Sequence, residues 1–125
     1  MITPYICVSD SRAAIAYLEA ALGAEVVEGP YVGDDGSIGH VTLRIGDAEL
    51  MMSDEYLSAG VQPPLEGRGA PVTMHLRVDD CDATVASCLA AGARLDREPG
   101  NAGVGRIAVL TDPFGHRWMI NGPEI

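Results

Sequence analysis

Along the first part of the chain, apolar and polar residues alternate with the period of a strand and then change to the period of a helix. Residues 2–8 alternate, which is typical of a strand with one face in a core. Ser9 or Asp10 can cap the helix that follows, because a side-chain oxygen accepts an N–H group of the first turn. Gly23 can end that helix in the left-handed conformation. Between these ends the apolar residues recur at helical spacing, at Ile15, Leu18 and Leu22.

The second half of the chain repeats this pattern at an offset of 70 residues. A strand stripe is followed by a helix that Asp79 or Asp80 can cap and that Gly92 can end. Aligned pairs include Thr3 with Thr73, Val8 with Val78, Asp10 with Asp80 and Ala13 with Ala83. The repeat predicts two copies of one supersecondary unit.

Three further strands are predicted after each helix, over residues 24–32, 39–45 and 48–53 and over residues 94–98, 106–111 and 116–121. A glycine-rich loop is expected over 99–105. We therefore expect an α+β fold in which two βαβββ modules form a curved, mixed, eight-stranded sheet with helices on the outside. The whole of 1–125 is expected to be one domain, with modules over 1–53 and 72–125 and a linker rich in Pro and Gly over 54–71.

Alternation assigns each strand residue to one of two sheet faces. The apolar set is predicted to pack on the helices, and it includes Val41, Leu43, Met52, Met74, Leu76, Ile107, Val109 and Trp118. The mixed set is predicted to face away from them, and it includes Tyr5, His40, Thr42, Met51, His75, Arg106, Ala108, Leu110, Arg117 and Met119. Two interpretations of the mixed face remain open, a solvated surface and a concave ligand pocket.

Charge and composition narrow the classes of partner. A formal net charge of −10 disfavours nucleic acid and anionic membranes and would suit a cationic ligand. All eight basic residues are Arg, so Schiff-base chemistry by lysine is excluded. No signal segment or membrane-length apolar run is present, so we expect a cytoplasmic protein. The three cysteines, Cys7, Cys81 and Cys88, are expected to be reduced core residues.

Four segments resemble the vicinal-oxygen-chelate superfamily, which comprises the glyoxalase, bleomycin-resistance and extradiol dioxygenase proteins. They are ITPYICVSD at 2–10, RIGDAELMM at 44–52, HLRVDD at 75–80 and DPFGHRW at 112–118. Within that superfamily the chain looks most similar to the PhnB-like branch. The resemblance covers nearly the whole chain and implies the paired βαβββ fold, a homodimer and a small-molecule ligand.

The resemblance also implies where a metal ion would be held. Metal-dependent members bind their ion with His and Glu at equivalent strand positions, which correspond here to Thr3, Met51, Thr73 and Met119. Hydroxyl and thioether groups are weak ligands for such ions, so we expect no metal and no other cofactor. A displaced site made by His40, Glu49 and His75 is the alternative.

We therefore expect a binding protein that works without metal, similar to those that sequester cationic aromatic antibiotics. Tyr5 and Tyr56 are candidate ring platforms, and Arg117 is a candidate fixed cation. The predicted ligand-binding set is Thr3, Tyr5, His40, Met51, Tyr56, Thr73, His75, Arg117 and Met119. Two alternatives stay open: an enzyme in which His75 is the acid–base group, and a non-catalytic protein with a vestigial pocket.

Overall fold

The computed structural model describes residues Met1–Ile125 and divides them into two compact units, Met1–Pro64 and Leu65–Ile125. Each unit is one βαβββ module with one four-stranded sheet, so the predicted α+β fold of two such modules is confirmed. The strands form two four-stranded sheets, where one eight-stranded sheet was predicted. The first unit contains β1 (Tyr5–Cys7), α1 (Ser11–Leu22), β2 (Glu25–Val32), β3 (Ile38–Ile45) and β4 (Ala48–Ser53). The second contains β5 (Thr73–Arg77), α2 (Cys81–Ala90), β6 (Arg94–Asn101), β7 (Arg106–Thr111) and β8 (Arg117–Gly122).

The two sheets have the same topology. The strand order is β1-β4-β3-β2 in the first unit and β5-β8-β7-β6 in the second. The first strand of each unit pairs in parallel with the last, and the other neighbours are antiparallel. The strand β6 continues to Asn101, so the predicted loop over 99–105 begins later than expected. Neither helix has the length and apolarity that crossing a membrane requires.

Both helices begin at an aspartate cap. The carboxylate of Asp10 accepts the N–H of Ala13 at 3.1 Å, and that of Asp80 accepts the N–H of Ala83 at 3.0 Å. Each bond satisfies a donor that the first helical turn leaves without a backbone partner. The helix α1 ends at Gly23 with φ of 65°, as predicted, whereas α2 ends one residue before the predicted Gly92, at Ala91.

The core of the first unit lies between α1 and one face of its sheet. Val41, Leu43 and Met52 have 0% exposed surface, and register pairs Val41 with Met52. Leu18 of α1 is 2% exposed. Burying an aliphatic side chain of this size contributes about 1.5–3 kcal/mol, so this face dominates the stability of the unit.

The helix side of the second sheet is identified by α2. A Cβ added at Gly122 would lie 2.9 Å from the backbone nitrogen of Cys81, and Arg106 Nε donates to Asp82 of α2 at 3.1 Å. Arg106, Ala108 and Leu110 therefore lie on the helix side, paired with Gly122, Ile120 and Trp118. Their predicted assignment to the other face was wrong, as was that of Ile107 and Val109. Both faces of β7 are apolar, so hydrophobicity does not fix its register.

A carboxylate ties the end of β4 to two other elements. The side chain of Asp54 accepts the N–H of Ser11, at the start of α1, and the N–H of Ile38, at the start of β3, both at 2.8 Å. Burial raises the pKa of Asp54, but these backbone hydrogen bonds outweigh it and the net pKa is lowered. The following residues, within the predicted linker over 54–71, include a short 3₁₀ turn at Leu57–Ala59.

We predict that Asp54→Ala lowers the free energy of unfolding by about 2 kcal/mol, because two backbone donors lose a charged acceptor. Since the folded-state pKa of Asp54 is lowered, the stabilisation it provides is complete above its unfolded-state pKa of about 3.9 and is lost as pH falls through the folded-state pKa. Urea unfolding from pH 7 down to pH 2 measures both effects. Asp34→Ala, in an exposed turn, is the control. Equal losses in the two variants at pH 7 would contradict the assignment.

Candidate functional site

The face of the first sheet that is turned away from α1, called here the open face, carries most of the polar strand residues of this unit. Residues that are paired across strands point to the same face. Register places Tyr5 opposite Met51, Met51 opposite Thr42, and His40 opposite Tyr31. The local reason is simple alternation, because Val41 and Leu43 fill the core and turn His40 and Thr42 outward.

His40 is the centre of a polar cluster on this open face. Its Nδ1 lies 2.7 Å from the hydroxyl of Tyr5, and its Nε2 lies 2.9 Å from the hydroxyl of Thr42 and 3.4 Å from a carboxylate oxygen of Glu28. We call Tyr5, Glu28, Tyr31, His40 and Thr42 the His40 cluster. Both ring nitrogens therefore have partners, so the imidazole is held in one orientation.

The protons in the cluster can be arranged in two ways when His40 is neutral. The Tyr5 hydroxyl donates to the carbonyl of Gly39, at 3.2 Å, or to Nδ1 of His40. In the first arrangement Nδ1–H donates to Tyr5 and Nε2 accepts from Thr42, and in the second Nε2–H donates to Thr42 or Glu28. A protonated His40 donates from both nitrogens and pairs with the Glu28 carboxylate. In either arrangement each ring nitrogen of His40 keeps a hydrogen-bond partner.

Two tyrosine rings flank the imidazole. The Tyr31 ring stacks on His40 with centroids 6.1 Å apart and planes at 19°, and the Tyr5 ring is tilted by 52° at 5.3 Å. Tyr5 and Tyr31 are 52% and 56% exposed, so both present ring surface outside the cluster. Partial burial raises the pKa of Tyr5.

The same face of the second unit has different chemistry. Arg117 Nη1 donates to the Thr73 hydroxyl at 2.6 Å, and the amide nitrogen of Asn121 lies 3.2 Å from Nε2 of His75. His75 and Met119 are directly opposite each other in the parallel β5–β8 pair. This open face therefore combines a fixed guanidinium with an exposed imidazole, where the first unit has rings and carboxylates.

The structure groups some of the predicted site residues and leaves others apart. In the first unit Tyr5, His40 and Met51 share the open face, and the Met51 N–H donates to the carbonyl of Pro4, next to Thr3. Tyr56 is 65% exposed, and only its backbone is hydrogen-bonded, to Ala59 and Val61. In the second unit the open face carries Thr73, His75, Arg117 and Met119.

Sequence reasoning missed Glu28 and Tyr31. Both lie on β2, whose register with β3 shifts at several points between Val26 and Val32. A shift exchanges the faces on which later residues lie, so alternation from the strand start misplaces them. The position of Tyr31 opposite His40 would have identified both residues, but it can be recognised only when the register of β2 against β3 is known.

The positions that correspond to the metal ligands of the resembling proteins do not fit a divalent ion. Thr73 already accepts a hydrogen bond from the guanidinium of Arg117, so a positive charge stands where a cation would bind. Met51 and Met119 offer thioethers, which are poor ligands for zinc, manganese or iron(II). No group of three or more His, Cys, Asp or Glu side chains is placed to hold a metal ion, which contradicts the alternative site of His40, Glu49 and His75.

We predict that Thr42→Val lowers the free energy of unfolding by about 1 kcal/mol, because the buried hydroxyl that holds Nε2 of His40 is replaced by a methyl group of similar size. The His40 ring signals in NMR spectra should also broaden or shift as the ring gains freedom. Thr3→Val is the matched control, since no hydrogen bond of the cluster involves Thr3. A Thr42→Val protein with unchanged stability and unchanged ring signals would show that the hydroxyl does not hold the ring.

Comparison with known proteins gives a consistent family assignment. Residues 2–120 match the family described as Glyoxalase/Bleomycin resistance protein/Dioxygenase superfamily. The protein Rv0887c of Mycobacterium tuberculosis is 34% identical over 130 aligned residues, which cover 98% of this chain and 74% of the relative.

Solved structures share the fold. Protein PA1353 of Pseudomonas aeruginosa superposes with a TM-score of 0.74 at 25% identity, covering 100% of this chain and 98% of that one. The fosfomycin resistance protein FosX of Mesorhizobium loti superposes with a TM-score of 0.72 at 15% identity, covering 100% and 92%. At such identities the likeness extends to the fold alone.

Proposed function

Because the chain belongs to the glyoxalase/bleomycin resistance protein/dioxygenase superfamily, we propose that it binds a small cationic, aromatic molecule on the His40 cluster without the help of a metal ion. The observation that carries this proposal is the pair of half-exposed tyrosine rings held beside His40, with the carboxylate of Glu28 at 3.4 Å from the imidazole. Ring surface and negative charge are thus combined on one open face.

Ring faces and carboxylates attract the same kind of ligand. A cation over the face of a tyrosine ring gains about 0.5–2 kcal/mol, depending on how far it is desolvated. An aromatic ligand gains further free energy by stacking on a ring of fixed orientation. Tyr31 supplies such a ring because it stacks on an imidazole whose two nitrogens are both bonded. Glu28 supplies the charge that favours a cation over a neutral analogue.

The distribution of charge supports a cationic ligand in this unit. Met1–Pro64 carries ten Asp and Glu against two Arg, a net charge of −8, whereas Leu65–Ile125 carries eight against six, a net charge of −2. Four-fifths of the total charge of −10 therefore lies in the unit that holds the His40 cluster. An acidic surface raises the local concentration of cations and accelerates their association.

Two names among the compared proteins are those of resistance proteins. The family description includes bleomycin resistance proteins, and FosX of Mesorhizobium loti is described as a fosfomycin resistance protein. We propose that the protein sequesters a natural product by binding it.

By motif resemblance we also propose that the chain belongs to the PhnB-like branch and acts in the cytoplasm as a single domain over 1–125. We propose further that it forms a homodimer, and light scattering of the purified protein tests this.

The two alternatives have less support. His75, the acid–base candidate, is exposed and has one hydrogen-bond contact, with Asn121, and no carboxylate contacts its ring. A vestigial site would have its rings covered by the protein's own side chains, whereas Tyr5 and Tyr31 are more than half exposed. The predicted residues Tyr56 and Arg117 are not part of the His40 cluster, and they take no part in the proposed cation site.

We predict that phenyltrimethylammonium binds the protein measurably and that tert-butylbenzene, its neutral isostere, does not. Isothermal titration calorimetry measures both affinities, and the thermal midpoint should rise with the cation alone, because it binds only the folded state. Tyr31→Leu should weaken binding about tenfold through loss of the ring face. Equal affinity for the two compounds would refute charge recognition at this site.

Glu28→Gln is predicted to weaken binding of the cation several-fold, and Glu19→Gln is its matched control. Both substitutions remove one negative charge, but Glu19 is an exposed residue of α1 and Glu28 contacts His40. The same calorimetric titration compares them at one ionic strength, since salt screens both charges. If the two variants lose affinity equally, the effect is general electrostatics and the His40 cluster is not the binding site.

A further inference from the structure

The open face of Leu65–Ile125 carries arginines where that of the first unit carries carboxylates. Register assigns four arginines to this face: Arg77 opposite Asn121, Arg94 opposite Thr111, Arg97 opposite Val109 and Arg117 opposite Thr73. The remaining arginine of these strands, Arg106, is on the helix side with Asp82. Four of the six arginines of this unit therefore lie on one face of its sheet, although the unit as a whole is slightly acidic.

Arg117 is the arginine that the fold holds most firmly in place. It is half-buried, it lies on β8, one of the two inner strands of the sheet, and its Nη1 donates to the Thr73 hydroxyl at 2.6 Å. A guanidinium has five N–H donors in a rigid plane, and the structure gives a protein acceptor to one of them. The others form the fork that matches two oxygens of a carboxylate or phosphate group.

Asp96, whose carboxylate feels the charge of Arg117, already accepts hydrogen bonds from other groups. Its oxygens accept from the Thr111 hydroxyl and from Arg94 Nε, the latter at 2.8 Å. The pKa of Asp96 is lowered first by the Thr111 hydrogen bond, then by that of Arg94, and last by the charge of Arg117. Among the four arginines of this face, Arg94 is ion-paired with Asp96, whereas Arg77, Arg97 and Arg117 form no ion pair in the structure.

We propose that Arg117, positioned by Thr73, binds the carboxylate or phosphate group of a small molecule on the open face of Leu65–Ile125. This site goes beyond the proposed function, because it lies in the other unit and selects the opposite charge. His75 and Met119, which are opposite each other on the same two strands as Arg117 and Thr73, provide an imidazole and an apolar group for the rest of the ligand. Thr73 acts as a positioning residue, and Arg117 is the residue that touches the ligand.

The test is a titration of the ¹⁵N-labelled protein with inorganic phosphate, with sodium chloride at equal ionic strength as the reference. Saturable shifts should be centred on the amides of Thr73, His75 and Arg117, and chloride should not reproduce them. Arg117→Gln should weaken phosphate binding about tenfold or more, as expected for loss of a charge-assisted, two-pronged contact. Arg106→Gln removes the same charge from the helix side and should bind phosphate like the unchanged protein.

Two further variants keep the test decisive if Arg117→Gln does not fold. Arg117→Lys keeps the positive charge but removes the two-pronged guanidinium. Thr73→Val keeps the guanidinium but removes the hydroxyl that positions it. Each substitution should weaken phosphate binding several-fold. No saturable response in the unchanged protein, or equal losses in the Arg117 and Arg106 variants, would overturn the proposal. Binding of phenyltrimethylammonium to Arg117→Gln should remain unchanged, so failure of this site is distinguishable from failure of the cation site.

Discussion

Each four-stranded sheet of this protein has one helix of its own, and one helix covers only one face of a sheet. Because side chains alternate along a strand, this constraint divides the strand residues of each unit into two sets. The set that faces the helix is apolar and includes the fully buried Val41, Met52 and Ile120. The other set must satisfy its polar groups with one another or with solvent. The residues of both proposed sites come from this second set.

The two units use that second set for opposite chemistry on the same backbone. In the first unit Tyr5, His40 and Glu28 form one hydrogen-bonded cluster with exposed rings and negative charge. In the second unit Arg117 is fixed on Thr73 in a basic surface. Topology and strand order are the same in both units, so the difference in chemistry comes from the strand residues and not from the backbone. The weak metal donors at the family's ligand positions are consistent with recognition by charge and ring surface.

The sequence was sufficient for the features that depend on local pattern, namely the repeat, the Asp10 and Asp80 caps and the helix side of the first sheet. It was not sufficient where the register between strands determines the face on which a residue lies. The strand β7 is apolar on both faces, so only its pairing with β8 shows that Val109 accompanies Met119. Likewise, the shifts along β2 bring Glu28 and Tyr31 to His40, and no alternation within β2 predicts that.

The central claim is that equivalent sheet faces of the two units attract ligands of opposite charge. Relaxation enhancement of amide protons by two nitroxides of similar shape, one carrying an ammonium group and one a carboxylate, tests it most directly. The ammonium probe should act most strongly around Tyr5, Tyr31 and His40, and the carboxylate probe around Thr73 and Arg117. The same enhancement pattern with both probes would contradict the account, because it would show that exposure alone governs access to these faces.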